Sequence, residues 1–220
     1  MNHLQPSTFE FLKELAAHNT KEWMDENRKW YKQERALIIA FTNELYQSLA
    51  TVDTMPLVDP KKSVARINNN RRFHPDKPLY KNNFGLMINR GEGKSMFYVH
   101  VSPGQSFLGG GIHSPMKEQL DAIRDYIDHD GPRLQKIVDA PGFKKYFGEI
   151  SGSELKTAPR DFDKEHPYIH FIRKKDFTVM QNVSDGFFTK PNAIAEITNV
   201  YSKALPFLEY LDDALSVLKN

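Results

Sequence analysis

The stretch "FGLMINRGEGKSMFYVHVSPGQSFLGGGI", residues 84–112, decides the fold. Three short runs within it, 84–90, 96–101 and 106–112, are rich in branched and aromatic side chains and bounded by Gly, Pro and Ser, the pattern of strands. "RGEGKS", 90–95, joins the first two as a hairpin turn with glycine at the flexible positions. Its ending, Gly93-Lys94-Ser95, copies the tail of a phosphate-binding loop. That motif needs glycine at 88, where Ile88 stands, and a strand-to-helix setting that is missing here. A further strand is expected over 63–68.

Helical patterns flank this region. Ser7 and Glu10 have capping-box spacing ahead of Phe11, Leu12 and Leu15, and Asn19 and Glu22 repeat the box. Trp23, Trp30, Leu37, Phe41, Leu45, Leu49 and Val52 recur at near-heptad steps, which predicts one long amphipathic helix ending near Asp53. Arg28, Lys32 and Arg35 form its solvated face. Beyond the strands, Ser114-Pro115 reads as a serine cap with proline in the first turn, and Met116, Leu120, Ile123 and Ile127 as the buried face. Asp130-Gly131-Pro132 interrupts this helix before a shorter one through Ala140, and "PGFKKYFG" is a helical turn. Residues 151–167 read as irregular, and 168–183 as a helical turn entering a strand. Closing helices are expected over 191–204 and 206–218. Helices, then antiparallel-type strands, then helices predict an α+β class. The expected architecture is a single domain over 1–220, a mainly antiparallel sheet packed with N-terminal and C-terminal helices.

Hydrophobic residues make up 40% and charged residues 26% of the 220, the balance of a globular chain with 15 Phe, 9 Tyr and 2 Trp to build a core. The absence of cysteine excludes disulfides, thiolate catalysis and cysteine-held metals, and suits a reducing compartment. The first residues lack a basic region followed by an apolar one, and no apolar run is long enough to span a bilayer. A cytoplasmic protein with no membrane partner is expected. Net charge is only +2, but residues 61–94 carry nine cations against Asp76 and Glu92. The rest of the chain is therefore net acidic, and the basic segment can attract an anion.

Inside that segment, Arg66, Arg72-Phe73, Asp76-Lys77 and Tyr80-Lys81 stand as in the motif R-x-x-R-D-x-R-F-x-x-D-K-x-x-Y-K. With "FLKELAAHNTKEWMDENRKWY", "FLGGGIHSP" and "PRDFDKEHPYIHFIRKKDF", the chain resembles, over nearly its whole length, the bacterial family called domain of unknown function DUF 2461. The resemblance implies a fold-level grouping and no catalytic assignment. Asn69-Asn70 replaces the Arg-Asp pair of the motif, so one charge of each sign is missing and residue 70 cannot serve as a base.

Two functions from different classes fit these residues. In the first, a pocket recognises a phosphate- or carboxylate-bearing small molecule. Arg66, Arg72, Lys77 and Lys81 bind its charge, Tyr80 orients it, and Asp76 or His166 is the proton-transfer candidate. Gly110 and Gly111 can present amide N–H groups beside a helix start at Ser114, with Arg124 two turns on. The structural alternatives are plain. Asp76 pairs with a neighbouring cation, Phe73 plugs into the core, the glycines mark a bulge or close crossing, and Arg124 salt-bridges Asp121 or Asp128. In the second function, the 61–94 segment is a non-catalytic module for nucleic acid or an acidic protein. An enclosed cluster of Arg66, Arg72, Tyr80, the glycines and His166 favours the first; outward-facing Lys61, Lys62, Arg71 and Lys94 favour the second.

Other chemistries find little support. His166 and His170 have i,i+4 spacing and would need a third ligand from Asp163, Glu165, His100 or His113; without a diagnostic motif, no metal and no cofactor is expected. "VSPGQS" is not a nucleophile elbow, and no Ser/His/Asp set can be assigned from spacing.

Overall fold

The computed structural model describes residues 2–72 and 74–219, Lys219 through its backbone only. The elements run α1 (Pro6–Ala17), α2 (Lys21–Glu26), α3 (Arg28–Leu49), α4 (Pro60–Ser63), β1 (Phe84–Ile88), β2 (Met96–Val101) and β3 (Phe107–Ile112). They continue α5 (Lys117–Asp139), α6 (Pro141–Phe147), α7 (Ile169–Ile172), β4 (Phe177–Asn182), α8 (Asp185–Thr189), α9 (Ala193–Ser216) and a short 3-10 turn (Val217–Lys219). The four strands form one antiparallel sheet in the order β1-β2-β3-β4, and the class is α+β. No helix among the described residues is long and apolar enough to cross a membrane.

Several boundaries differ from the sequence expectation, each for a local reason. Helix α1 starts at Pro6, with Gln5 as an N-cap that makes no side-chain bond, so Ser7 and Glu10 do not form a box. Proline at the first helical position lacks an N–H that would be unpaired there anyway. At α2 the cap is Thr20, whose hydroxyl accepts the Trp23 N–H at 3.2 Å. Asn19 is committed elsewhere.

The long helix expected through Asp53 is divided at Asn27 (φ −99°, ψ 17°), whose side-chain amide donates to the Trp23 carbonyl at 2.9 Å. It ends at Leu49, and Val52, past the end, is 40% exposed. No strand forms over 63–68. α4 occupies its start, and single antiparallel bridges follow at Val64–Leu86 and Asn68–Tyr80.

Ser114 does not cap α5. Its φ is +50°, in the left-handed region where helix N-caps do not lie, and its N–H is taken by Asp176. The helix begins at Lys117 behind Met116, whose N–H donates to the Gln119 side chain at 2.9 Å and whose side chain is 65% exposed. The interruption at Asp130 is present (φ −130°, ψ 40°), and Tyr168 covers Gly131 so closely that a Cβ would lie 2.2 Å from its ring. α9 runs unbroken through Pro206 where two helices were expected, because Tyr201, Ala204, Phe207, Leu208 and Leu211 stay on one buried face through that position.

The chain divides into two compact units. The first comprises Met1–Ile88, Tyr98–Leu108 and Asn182–Asn199; the second comprises Asn89–Phe97, Gly109–Gln181 and Val200–Asn220. In the first unit the core gathers around Phe11, with ring centroids of Trp30 at 5.3 Å, Tyr31 at 6.0 Å, Trp23 at 6.1 Å and Phe84 at 6.3 Å. Burying a phenyl group of this kind contributes about 2–3 kcal/mol. The buried carboxylate of Glu34 accepts from the Thr8 hydroxyl at 2.8 Å and the Trp30 indole at 3.1 Å, which ties α1 to α3.

In the second unit Phe97 meets Tyr201 edge-on at 5.0 Å, and Phe143 meets Phe207 at 6.0 Å. A buried polar node lies beside them. Arg90 donates to Asp212 at 2.6 Å, Tyr201 at 2.8 Å and Ser95 at 3.1 Å, and the Ser95 N–H and hydroxyl both donate to Asp212. These bonds pin the β1–β2 turn to α9. Within that turn Gly91 (φ +134°) and Gly93 (φ +65°) take the positive angles expected of the hairpin.

Candidate functional site

The basic segment of the first unit is a braced hairpin rather than a free arm. The Lys81 N–H donates to the Ile67 carbonyl at 2.7 Å, the Asn69 N–H donates to the Leu79 carbonyl at 3.0 Å, and Asn68 bridges Tyr80. The tip is closed from within. Arg71 donates through Nε (3.1 Å) and Nη2 (2.8 Å) to the Pro75 carbonyl. Both motif-departing asparagines are used on the loop backbone: Asn69 donates to the Pro78 carbonyl at 2.9 Å, and Asn70 accepts the Arg72 N–H at 3.2 Å. Phe73, expected to plug into the core, lies outside the described residues.

Asn19 fastens the base of this hairpin. Its side-chain amide donates to the Tyr80 carbonyl and its oxygen accepts the Tyr80 N–H, both at 2.9 Å, so one side chain continues the ladder like a strand. Asn19→Ala is expected to cost about 2 kcal/mol, the scale for leaving two half-buried backbone groups unpaired. Urea unfolding measures that loss, and faster hydrogen exchange at the Tyr80 amide shows where it arises.

The side chains of Arg66, Arg72, Asp76 and Lys77 are exposed, as are those of Lys61, Lys62 and Arg71. Asp76 forms no ion pair among the described residues. Tyr80 is only 7% exposed. The Lys81 ammonium donates to the Arg66 carbonyl at 2.7 Å, and partial burial, with Lys77 nearby, lowers its pKa from the usual lysine value. On the sheet of this unit, His100 stacks on Phe107 at 4.6 Å and contacts the Tyr98 hydroxyl through Nδ1 at 3.3 Å. Burial lowers the His100 pKa and raises that of Tyr98, which favours the neutral form of each.

The remaining candidates belong to the second unit. Gly110 and Gly111 lie in β3. A Cβ on Gly110 would meet Leu208 at 3.2 Å and Phe97 at 3.3 Å, and one on Gly111 (φ +121°) would lie 2.0 Å from the Phe177 carbonyl oxygen. Arg124 is buried and pairs with neither Asp121 nor Asp128. It donates to the carbonyls of Ile172 at 2.9 Å and Lys174 at 3.3 Å, at the exit of α7.

His166 precedes α7, so its spacing to His170 is not a helical one. Its Nδ1 accepts the Tyr168 N–H at 3.1 Å, which places the proton on Nε2, 3.1 Å from Asp128. His170 is exposed, and its pKa is lowered by desolvation and by Lys174. No three His, Asp or Glu side chains among the described residues gather as a metal set.

Asp176 is the polar centre that spacing did not reveal. It is 8% exposed, and one carboxylate oxygen accepts the Ser114 N–H at 2.8 Å while the other accepts the Ser153 hydroxyl at 2.7 Å and N–H at 3.2 Å. The Ser153 hydroxyl, followed by these amides and His113, holds its carboxyl below the usual aspartate range despite burial. Gly152 (φ +120°) is needed here, because a Cβ would lie 2.5 Å from that of Asp176. No curated protein and no solved structure matches the chain. Residues 7–210, however, match the family described as conserved hypothetical protein (DUF2461), and the chain belongs to that family.

Proposed function

We propose that the protein binds a phosphate-bearing ligand through the hairpin of residues 66–81, together with Lys61 and Lys62 just before it in the chain. The observation that carries this reading is the exposure of Arg66, Arg72 and Lys77 on a braced backbone whose single acid, Asp76, is also exposed. Because the loop holds its own shape, binding does not have to order it, and more of the attraction is kept as affinity. In this account the buried Tyr80 anchors the hairpin. The cysteine-free sequence suits the cytoplasm, where phosphorylated metabolites and nucleic acids are both present.

A small phosphate compound and a nucleic-acid backbone present the same chemistry, and one experiment separates them. Binding of tripolyphosphate and of a labelled single strand of about 20 nucleotides is measured over a range of salt concentrations. A strand that binds much more tightly than tripolyphosphate, with a steep salt dependence reduced by about one in slope for Lys77→Ala, identifies the polymer. Comparable affinities, with one tripolyphosphate per chain, identify a compact ligand. If neither probe binds, or Arg72→Ala and Lys77→Ala bind as the parent does, the hairpin is not the site.

A further inference from the structure

The second unit holds an arrangement unrelated to the cationic hairpin. His113 Nδ1 lies 3.3 Å from Oδ1 of Asp176, and its Nε2 lies 3.4 Å from the hydroxyl of Ser114. The order hydroxyl, imidazole, buried carboxylate is that of an acyl-transfer relay, in which the carboxylate holds one ring nitrogen protonated so that the other can accept the serine proton. The Ser114 contact is at the long end for a hydrogen bond, and the imidazole meets Asp176 at ion-pair distance without an aligned N–H, an alignment that substrate binding has to complete. We propose that Ser114 is a nucleophile, activated by His113 and oriented by Asp176, that hydrolyses carboxylic esters.

Four further observations support this assignment. Ser114 is the only non-glycine among the described residues with positive φ, at +50°, and such strained positions concentrate at functional sites. The Asp176 bonds to the Ser114 N–H and to Ser153 pin the turn, but they do not require an imidazole at 113 or a hydroxyl at 114. His113 has a side chain 81% exposed and Ser114 is exposed, so a substrate carbonyl can reach both. The 23-residue helix α5 starts at Lys117, and its first-turn amides at Lys117 and Glu118 lack intrahelical acceptors, making them the donors closest in sequence for a developing oxyanion.

In the reaction, Ser114 Oγ bonds to the acyl carbon while its proton passes to His113 Nε2 and the carbonyl electron pair moves onto oxygen. Collapse breaks the bond to the alkoxide, which leaves with the proton from Nε2. Water then attacks the acyl-serine with the same proton transfers, releasing a carboxylic acid and restoring Ser114. A relay this open to water gives limited stabilisation to a poor leaving group, which favours esters over amides.

A fluorophosphonate probe tests the proposal on the intact chain, since attack of Ser114 Oγ on phosphorus expels fluoride and leaves a stable adduct. Mass spectrometry is expected to place the adduct on Ser114 and to find none in Ser114→Ala. Labelling is expected to slow at least about tenfold in His113→Gln, with both exposed-site variants keeping the parent circular dichroism. Asp176→Asn should lower the maximal labelling rate with the half-saturating probe concentration unchanged, and Asp176→Glu should recover part of it. No adduct on Ser114, or equal labelling rates in parent and His113→Gln, would overturn the assignment.

Discussion

Asp212→Ala is expected to lower the unfolding free energy by about 3–5 kcal/mol, the range for removing one partner of a buried ion pair. Arg90 has a side chain only 1% exposed, and Asp212 is 13% exposed. Removal of the carboxylate takes that counter-charge from a buried guanidinium and removes the acceptor of the Ser95 N–H, while the Ser95 hydroxyl keeps the Leu208 carbonyl. Water cannot readily replace those contacts at such low exposure, so the penalty is the desolvation of a charge and not merely a lost bond. Replacing both members by apolar residues, Arg90→Met with Asp212→Leu, is expected to be less destabilising than Asp212→Ala alone, because no charge is then left buried. Urea unfolding at constant m-value measures both; a double variant less stable than the single one would show that the geometry of the pair, and not the unpaired charge, dominates.

Gly111→Ala is expected to cost more than about 3 kcal/mol and to leave little folded protein near 37 °C. Two penalties coincide at this position. The backbone has φ +121°, which L side chains rarely adopt, and the new methyl would lie 2.0 Å from the Phe177 carbonyl oxygen and 3.0 Å from its carbonyl carbon. The neighbouring atoms are backbone of β4, so relief requires β3 and β4 to separate rather than a side chain to rotate. Gly104→Ala provides the comparison. Its φ is +69° with nothing within 4 Å of a Cβ, and about 1–2 kcal/mol is expected from backbone conformation alone. Thermal unfolding of the two variants separates the backbone term from the collision. Equal losses would mean that the β3–β4 contact yields easily.

Alternating and bounded apolar runs were enough to read β1, β2 and β3 from the chain, and heptad spacing was enough to read the helical body of α3. Element ends are less legible, because the type and spacing of a capping residue do not fix its partner. Asn19 and Thr20 are both good caps, and only the position of Tyr80 decides that Asn19 serves the hairpin while Thr20 caps α2. Ser114-Pro115 looks like a helix start until Asp176, 62 residues away, takes the serine N–H. Pro206 looks like a break, yet the buried face continues past it.

The candidate residues follow the same division. Composition and charge spacing locate the cations of 66–81, and the resemblance was sufficient to indicate the family. The destinations of its side chains were not legible: the closure by Arg71 on Pro75, the use of Asn69 and Asn70 on the backbone, and the burial of Tyr80. By itself, then, the sequence determined the α+β class, the family and the location of the positive charge, because periodicity and charge are local properties of a chain. Only the tertiary structure decided that Arg90 and Asp212 are a buried pair and that His113, Ser114 and Asp176 form a line. Those contacts depend on distances between residues far apart in the chain, which packing sets and local spacing does not encode.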